Sequence, residues 1–153
     1  MMTYRFARTD DFEAVNAIAR QAHAVHVAWR PDLFQKVDYP FEPSVFQRRV
    51  QEKQLLLACE SETILAYAAF DVRKTELPML KVRTVLLLDN ICVDEAHRKE
   101  GIATALIERL CALAKEWGCT DFELGCHPEN TAGIALYESL GMRVKSIHYQ
   151  IKL

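Results

Sequence analysis

The sequence predicts an α/β (α+β) domain, a central sheet of six to seven strands flanked by four helices, and three observations predict it. Apolar residues switch repeatedly between a helical period and strand-like runs. Those segments follow one another in the order β-α-α-β-β-β-α-β-α-β. No internal repeat, low-complexity tract or linker interrupts the 153 residues, so residues 1–153 read as a single domain.

Thr3 to Arg8 alternates as a first strand. Asp10-Asp11-Phe12-Glu13 then opens a helix, with Asp10 as the cap and Glu13 completing a capping box. Phe12, Val15, Ile18, Ala22 and Val25 keep the helical period until Arg30-Pro31 stops it. Asp32 to Pro43 is a loop rich in Pro, Asp and aromatics. Ser44 with Gln47 repeats the capping-box pattern ahead of a short helix from Val45 to about Lys53. Leu55–Glu60 and Ile64–Arg73, split by Ser61-Glu62-Thr63, have the spacing of a hairpin. Val82 to Val93, rich in Val, Leu and Ile, reads as a central strand buried on both faces. After Gly101, the residues Ile102, Leu106, Leu110, Leu113 and Trp117 line one face of a helix that ends at Gly118. Thr120 to Cys126 is a strand, Glu129 to Leu140 a helix closed by Gly141, and Met142 to Leu153 alternates as a final strand.

Composition bounds the function. Half of the residues are hydrophobic and 26% are charged, with 5 Gly and 5 Pro, which suits a packed chain and not a disordered one. A chain of this length buries roughly 70% of its unfolded surface and needs no metal or disulfide staple. The net charge of −2 leaves no basic field for nucleic acid. No apolar run has the length of a membrane span, and the N-terminus lacks the apolar core of a signal peptide. Cys59, Cys92, Cys111, Cys119 and Cys126 are odd in number and lie within apolar segments, as small hydrophobes in a reducing compartment. The expected location is cytoplasmic.

The segment that carries chemistry is Asp94-Glu95-Ala96-His97-Arg98-Lys99-Glu100-Gly101-Ile102-Ala103-Thr104. A strand feeding a polar turn, and a helix opening at glycine, present unpaired backbone N–H groups at the positive end of a helix dipole. That is a site for phosphate. Gly101 allows close approach of the backbone, Ala103 keeps the next turn slim, and Arg98 and Lys99 add charge. The segment is neither a Walker loop, lacking Gly-Lys-Ser/Thr, nor a dinucleotide fingerprint, having one glycine. Read alone, it also fits an ordinary capped turn with a solvated charge cluster.

Arg98-x-x-Gly101-x-Ala103 resembles the Arg/Gln-x-x-Gly-x-Gly/Ala pyrophosphate loop of the GNAT superfamily of acyl-CoA N-acyltransferases. Asp89-Asn90-Ile91-Cys92-Val93-Asp94 resembles the fourth strand of that family. Asn130, Tyr137 seven residues on, and Gly141 four after that resemble its second signature. The likeness is close from about Val85 to Val144, and the element order extends it over essentially the whole chain. Lys99 stands where many relatives have Gly, Glu95 where many have Pro, Met142 where Phe is usual, and Gly133 replaces a common Ala. Glu100 would repel a pyrophosphate, so its side chain is expected to point outward.

The resemblance implies a mixed, mostly antiparallel twisted sheet whose fourth and fifth strands splay apart. It implies acetyl-CoA as cofactor, held by Arg98, Lys99, Gly101, Ile102, Ala103 and Thr104 at the phosphates and by Ile91, Cys92 and Val93 along the pantetheine arm. Asn130 would hydrogen-bond the pantetheine or the nearby strand. Tyr137 would protonate the coenzyme sulfur, and Asp89 would take the ammonium proton, through a water. The residues alone allow blander roles: Asp89 paired with a neighbouring base, Tyr137 in the core, Asn130 as a helix cap. His23 and His26, one turn apart with no third ligand in reach, read as helix-surface or acceptor-site residues and not as a metal site. Cys126-His127 lacks an activating pattern for a nucleophile, and family chemistry is direct transfer. Trp29 and Arg30-Pro31-Asp32-Leu33-Phe34 lie in the region that covers the acceptor site in relatives, and the last strand, with His148 and Tyr149, can line the acceptor pocket.

The expected activity is therefore acetyl transfer from acetyl-CoA to a primary amine of a small molecule, amino acid or peptide. The alternative is a catalytically silent acyl-CoA-binding sensor or interaction domain. The expected partners are that amine and a second copy of the chain, with no nucleic acid and no membrane.

Overall fold

Leu55–Cys59 and Ile64–Phe70 are apolar at every position, and such runs are satisfied only in a sheet covered on both faces. In the computed structural model, which describes residues 1–153, they lie side by side inside one. The elements are β1 (Met2–Phe6), α1 (Phe12–Trp29), α2 (Pro43–Gln51), β2 (Leu55–Glu60) and β3 (Thr63–Thr75). β4 (Arg83–Val93), α3 (Ile102–Glu116), β5 (Asp121–Leu124) and α4 (Thr131–Ser139) complete them, with short 3₁₀ turns at Thr9–Asp11 and Glu95–His97. The sheet order is β1-β2-β3-β4-β5, antiparallel except for the parallel pair β4–β5.

Successive strand residues face opposite ways, so Leu55 and Leu57 pack with Val15, Ile18, Phe46 and Tyr67 under α1 and α2. Leu56, Phe70 and Leu86 pack with Leu106 and Leu110 of α3 on the other face. No helix is long and apolar enough to cross a membrane.

The strand count is five where six to seven were expected. Met142–Leu153 forms no strand: its only backbone bond is Met142 N–H to the Tyr137 carbonyl at 3.0 Å. Alternation prepares a segment for a sheet, but a strand exists only where a neighbour completes its ladder. The central strand is β3 and not β4, because β4 has only the four-pair ladder of β5 beyond it. Neither expected capping box forms. Asp11, not Asp10, accepts the Arg8 N–H (2.7 Å) and holds Arg5 through both carboxylate oxygens (2.7 and 3.0 Å). Pro43 takes the first turn of α2 in place of Ser44, its fixed φ suiting that position.

Two irregularities break the regularity of β4. The β4–β5 ladder stops at Leu88↔Leu124 while β4 runs on to Val93, so the two strands part. The β3–β4 register shifts between Ala69 and Phe70, whose partners are Asn90 and Leu88, leaving Asp89 as the extra residue of a β-bulge.

Candidate active site

Where β4 and β5 part, a cleft of about 1940 Å³ opens between the end of β4, the start of α3, α4 and the C-terminal half of α1. Every residue expected at the site lines it: Asp89, Ile91, Cys92, Val93, Arg98, Lys99, Gly101, Ile102, Ala103, Thr104, Asn130 and Tyr137.

The turn into α3 is held from both sides. Asp94 donates its N–H to the Leu65 carbonyl at 2.8 Å, and its carboxylate accepts from Ala96 N–H and from the Gln21 amide. Gln21 in turn accepts the Glu95 N–H at 2.9 Å, so a residue of α1 fixes the loop. Lys99 and Gly101 adopt positive φ, 64° and 78°. For Lys99 that is the left-handed region that a glycine enters without steric cost. The first backbone bond into α3 runs from Ala105 N–H to the Gly101 carbonyl at 3.1 Å. The N–H groups of Ile102, Ala103 and Thr104 therefore have no intrahelical acceptor. A Cβ on Gly101 would meet nothing within 4 Å, so the space above it is open to a ligand. Glu100 turns aside toward His97 (3.6 Å), as expected. These donors, with Arg98 and Lys99 beside them, fit a diphosphate.

Along β4, Ile91 and Val93 pack on the α3 face while the Cys92 side chain is buried on the other. Burial pushes the Cys92 thiol up, against the pull of Arg98, so it is no nucleophile. Only its backbone is left for the cleft. Asp89, at the bulge, accepts a hydrogen bond from Arg49 on one carboxylate oxygen at 2.8 Å. Arg49 is 5% exposed and also donates to the Phe70 carbonyl at 3.1 Å. The blander expectation for Asp89, a pair with a base, is thus met in a residue that also lines the cleft. Beneath it the Tyr67 hydroxyl is buried without a partner, its pKa driven well above 10.0 by burial.

On α4, burial raises the pKa of Tyr137 above 10.0, with Cys126 adding to it, so the phenol stays protonated across neutral pH. Asn130 caps the helix, accepting the Gly133 N–H at 3.0 Å. A Cβ on Gly133 would meet the Asn130 amide, so an alanine there would turn that side chain.

The far wall holds residues that sequence reasoning did not join. His26 and His127 rings stand 5.6 Å apart, boxed by Phe34 and Trp29. Burial first, then His127 and His23, lower the pKa of His26 below 6.5. The residues lie far apart in sequence, so no local pattern joins them. Gln21 gave no signal either. Arg49 gave one: it sits three positions after Phe46, on the buried face of α2.

The fold and site together form a five-stranded sheet parting at its parallel pair, with unpaired helix-start N–H groups at the mouth of the cleft and a protonated tyrosine within. The sequence profile of the Acetyltransferase (GNAT) family matches residues 15–142, and the chain belongs to that family. The L-amino acid N-acetyltransferase AaaT of Escherichia coli (strain K12) is 26% identical over 148 residues, 92% of this chain and 82% of that enzyme. A tetramutant of the BH1408 protein from Bacillus halodurans superposes with a TM-score of 0.93 at 28% identity, covering 99% of both chains. The aminoglycoside N-acetyltransferase AAC(6')-Iy, solved with CoA, shares the fold at a TM-score of 0.76 and 18% identity, covering 100% of this chain and 96% of that one. The match to other curated relatives is partial: it spans 23% of a chloroplastic GCN5-related N-acetyltransferase of Arabidopsis thaliana and 64% of an Acinetobacter genomosp. 13 aminoglycoside N(6')-acetyltransferase.

Proposed function

We propose that residues 1–153 act as one domain that moves the acetyl group of acetyl-CoA directly to a primary amine of a small molecule, amino acid or peptide, in the cytoplasm. The observation that carries this reading is the single cleft joining the start of α3, the open end of β4 and Tyr137. Five free cysteines, two of them buried, agree with a reducing compartment.

Acetyl-CoA supplies an activated acyl group on a thiol leaving group. The N–H groups of Ile102, Ala103 and Thr104, with Arg98 and Lys99, hold its phosphates. Backbone groups of Ile91 to Val93 receive the pantetheine arm, and one N–H there polarises the thioester carbonyl. Asn130 spends its carbonyl oxygen on Gly133 and keeps its amide for the cofactor or strand. Tyr137, kept protonated by burial, gives its proton to the leaving sulfur. Asp89 draws the acceptor's ammonium and takes its proton through a water, with Arg49 fixing the carboxylate at the bulge. The His26–His127 box, beside Trp29 and Phe34, bounds the acceptor.

Thiol release from acetyl-CoA across a panel of amines, run beside calorimetric CoA binding, tests this reading. Turnover with at least one amine is expected. Tight CoA binding with no turnover on any amine would overturn it in favour of a silent acyl-CoA sensor.

A further inference from the structure

The cleft carries far more imidazole than carboxylate. All five histidines of the chain line it, but of the acids only Asp89 and Glu123 do. Glu123 is spent on Arg83 (2.9 Å) and Lys145 (2.8 Å). Asp89 uses one oxygen on Arg49, and its side chain stays 57% exposed. One ammonium therefore finds a counter-charge, and a second or third would enter without one.

The cations of the cleft are Arg30, Arg98 and Lys99. Arg98 and Lys99 stand at the turn into α3. Arg30 is closed by both oxygens of Asp32 (2.8 and 2.7 Å) and by Gln150 (2.9 Å). An acceptor carboxylate beside Asp89 would be stripped of water with no free guanidinium or ammonium to meet it.

What remains is a slot of rings. The Arg30 carbonyl accepts the N–H groups of both Leu33 and Phe34 at 3.0 Å, which folds the loop back on α1. Phe34 thereby lies 5.4 Å from His26, stacked at 30°, and 5.6 Å from His127, edge-on at 71°. Trp29 stands 5.8 Å from His26 and 6.2 Å from His127. All four rings are half-buried and line the cleft, so each still presents surface to a ligand. Burial keeps the His26 pKa below 6.5, and that ring is neutral at pH 7. β4 and β5 leave their ladder in the same direction after Leu88 and Leu124. Asp89 is the next residue on one side and His127 the third on the other, so the rings stand beyond the carboxylate along one chamber.

We propose that the acceptor is an arylalkyl monoamine. Its single ammonium sits at Asp89, a short apolar linker follows, and its aromatic ring stacks in the slot of Trp29, Phe34, His26 and His127. It carries no carboxylate and no second ammonium. The proposal rests on the acetyl-transfer reading above. Transfer forms the C–N bond and breaks the C–S bond. Of the two protons the ammonium loses, one ends on the thiol and the other in solvent. The amide product is neutral, so it leaves Asp89 without the attraction that drew the amine in.

Binding and turnover are read separately. Calorimetry on the CoA-saturated chain with phenethylamine, L-phenylalanine, butylamine and spermidine separates the ring, the carboxylate and the extra charges. Phenethylamine should bind roughly 100-fold tighter than L-phenylalanine, whose carboxylate lacks a partner. It should bind about 10-fold tighter than butylamine or spermidine, which lack the ring. The kcat/KM values with acetyl-CoA should keep that order. Phe34→Leu, apolar but without a ring, should cost phenethylamine about 10-fold while the butylamine and CoA affinities hold, and the held CoA affinity shows the variant folded. A preference for any of the other three amines, or none among the four, would overturn the proposal. So would a Phe34→Leu chain that keeps the full preference. Binding in the expected order without acetyl transfer would uphold the slot and its ligand class and overturn the acetyl-transfer reading alone.

Discussion

In the proposed reading, the chemistry turns on Gly101 and Tyr137. Gly101→Asp places a carboxylate where phosphates approach, while the Cβ meets nothing and Asp tolerates positive φ better than most side chains. CoA binding should vanish in calorimetry with cooperative unfolding retained. An unchanged affinity would remove the pyrophosphate assignment. Tyr137→Phe should lower turnover by roughly 10²–10⁴ with CoA affinity held, since it deletes only the proton. The coenzyme thiol resembles free cysteine, with a pKa of about 8.5, so an unaided thiolate can leave and the loss falls at the low end. Asp89→Asn should flatten the acid limb of kcat/KM. If instead the limb persists below pH 6.5 and disappears in His26→Gln, the proton goes to the imidazole, which its burial keeps neutral at pH 7. A limb that tracks the acceptor's own pKa in both variants excludes both residues.

At the scale of elements, the join between β1 and α1 rests on one ion pair. Asp11 is 10% exposed at its side chain, and Arg5 23%. Burial would raise the Asp11 pKa, but the Arg5 and Arg8 N–H bonds outweigh it and hold the carboxyl below 3.8. Since the folded pKa is the lower one, this stabilisation is full above the unfolded value near 3.9 and drains as pH falls through the folded value. Asp11→Asn should cost about 2 kcal/mol at pH 7, because Arg5 and the Arg8 N–H lose their charged acceptor. The variant's melting temperature should then fall less steeply than wild type between pH 4 and 2, followed by circular dichroism. Parallel acid curves would show that the pair does not govern this limb. The capping residues were legible as a cluster, Asp10-Asp11-Phe12-Glu13, but which aspartate turned inward depended on Arg5 near the end of β1, a contact no local pattern contains.

For the whole molecule, the cleft joins α1, β4, α3 and α4, so a ligand seated in it stabilises several elements at once. CoA at 100 times its Kd should add about 2.7 kcal/mol and raise the melting temperature by roughly 5–10 °C for a chain of this size. A shift below 1 °C at saturation, read by differential scanning fluorimetry, would contradict the cleft as the binding site. Much of this layout was legible beforehand because glycine, charge and helical period at residues 98–110 are local signals, and because Asn130, Tyr137 and Gly141 resemble a family signature. The Arg49–Asp89 pair, the Gln21 clamp on the loop and the His26–His127 box were not, since each joins residues on different elements.

The sequence by itself determined which segments are helix, which are fit to join a sheet, and where backbone N–H groups are left free at a helix start. Those properties follow from periodicity and from residues that act within a turn of one another. Only the tertiary structure decided that β3 is the central strand, that a bulge sets Asp89 at the cleft, and that the alternating tail from Met142 to Leu153 remains outside the sheet. The physical reason is that a strand's backbone bonds are made to another strand. Alternation states that a segment can join a sheet, and only the position of its neighbours settles whether it does.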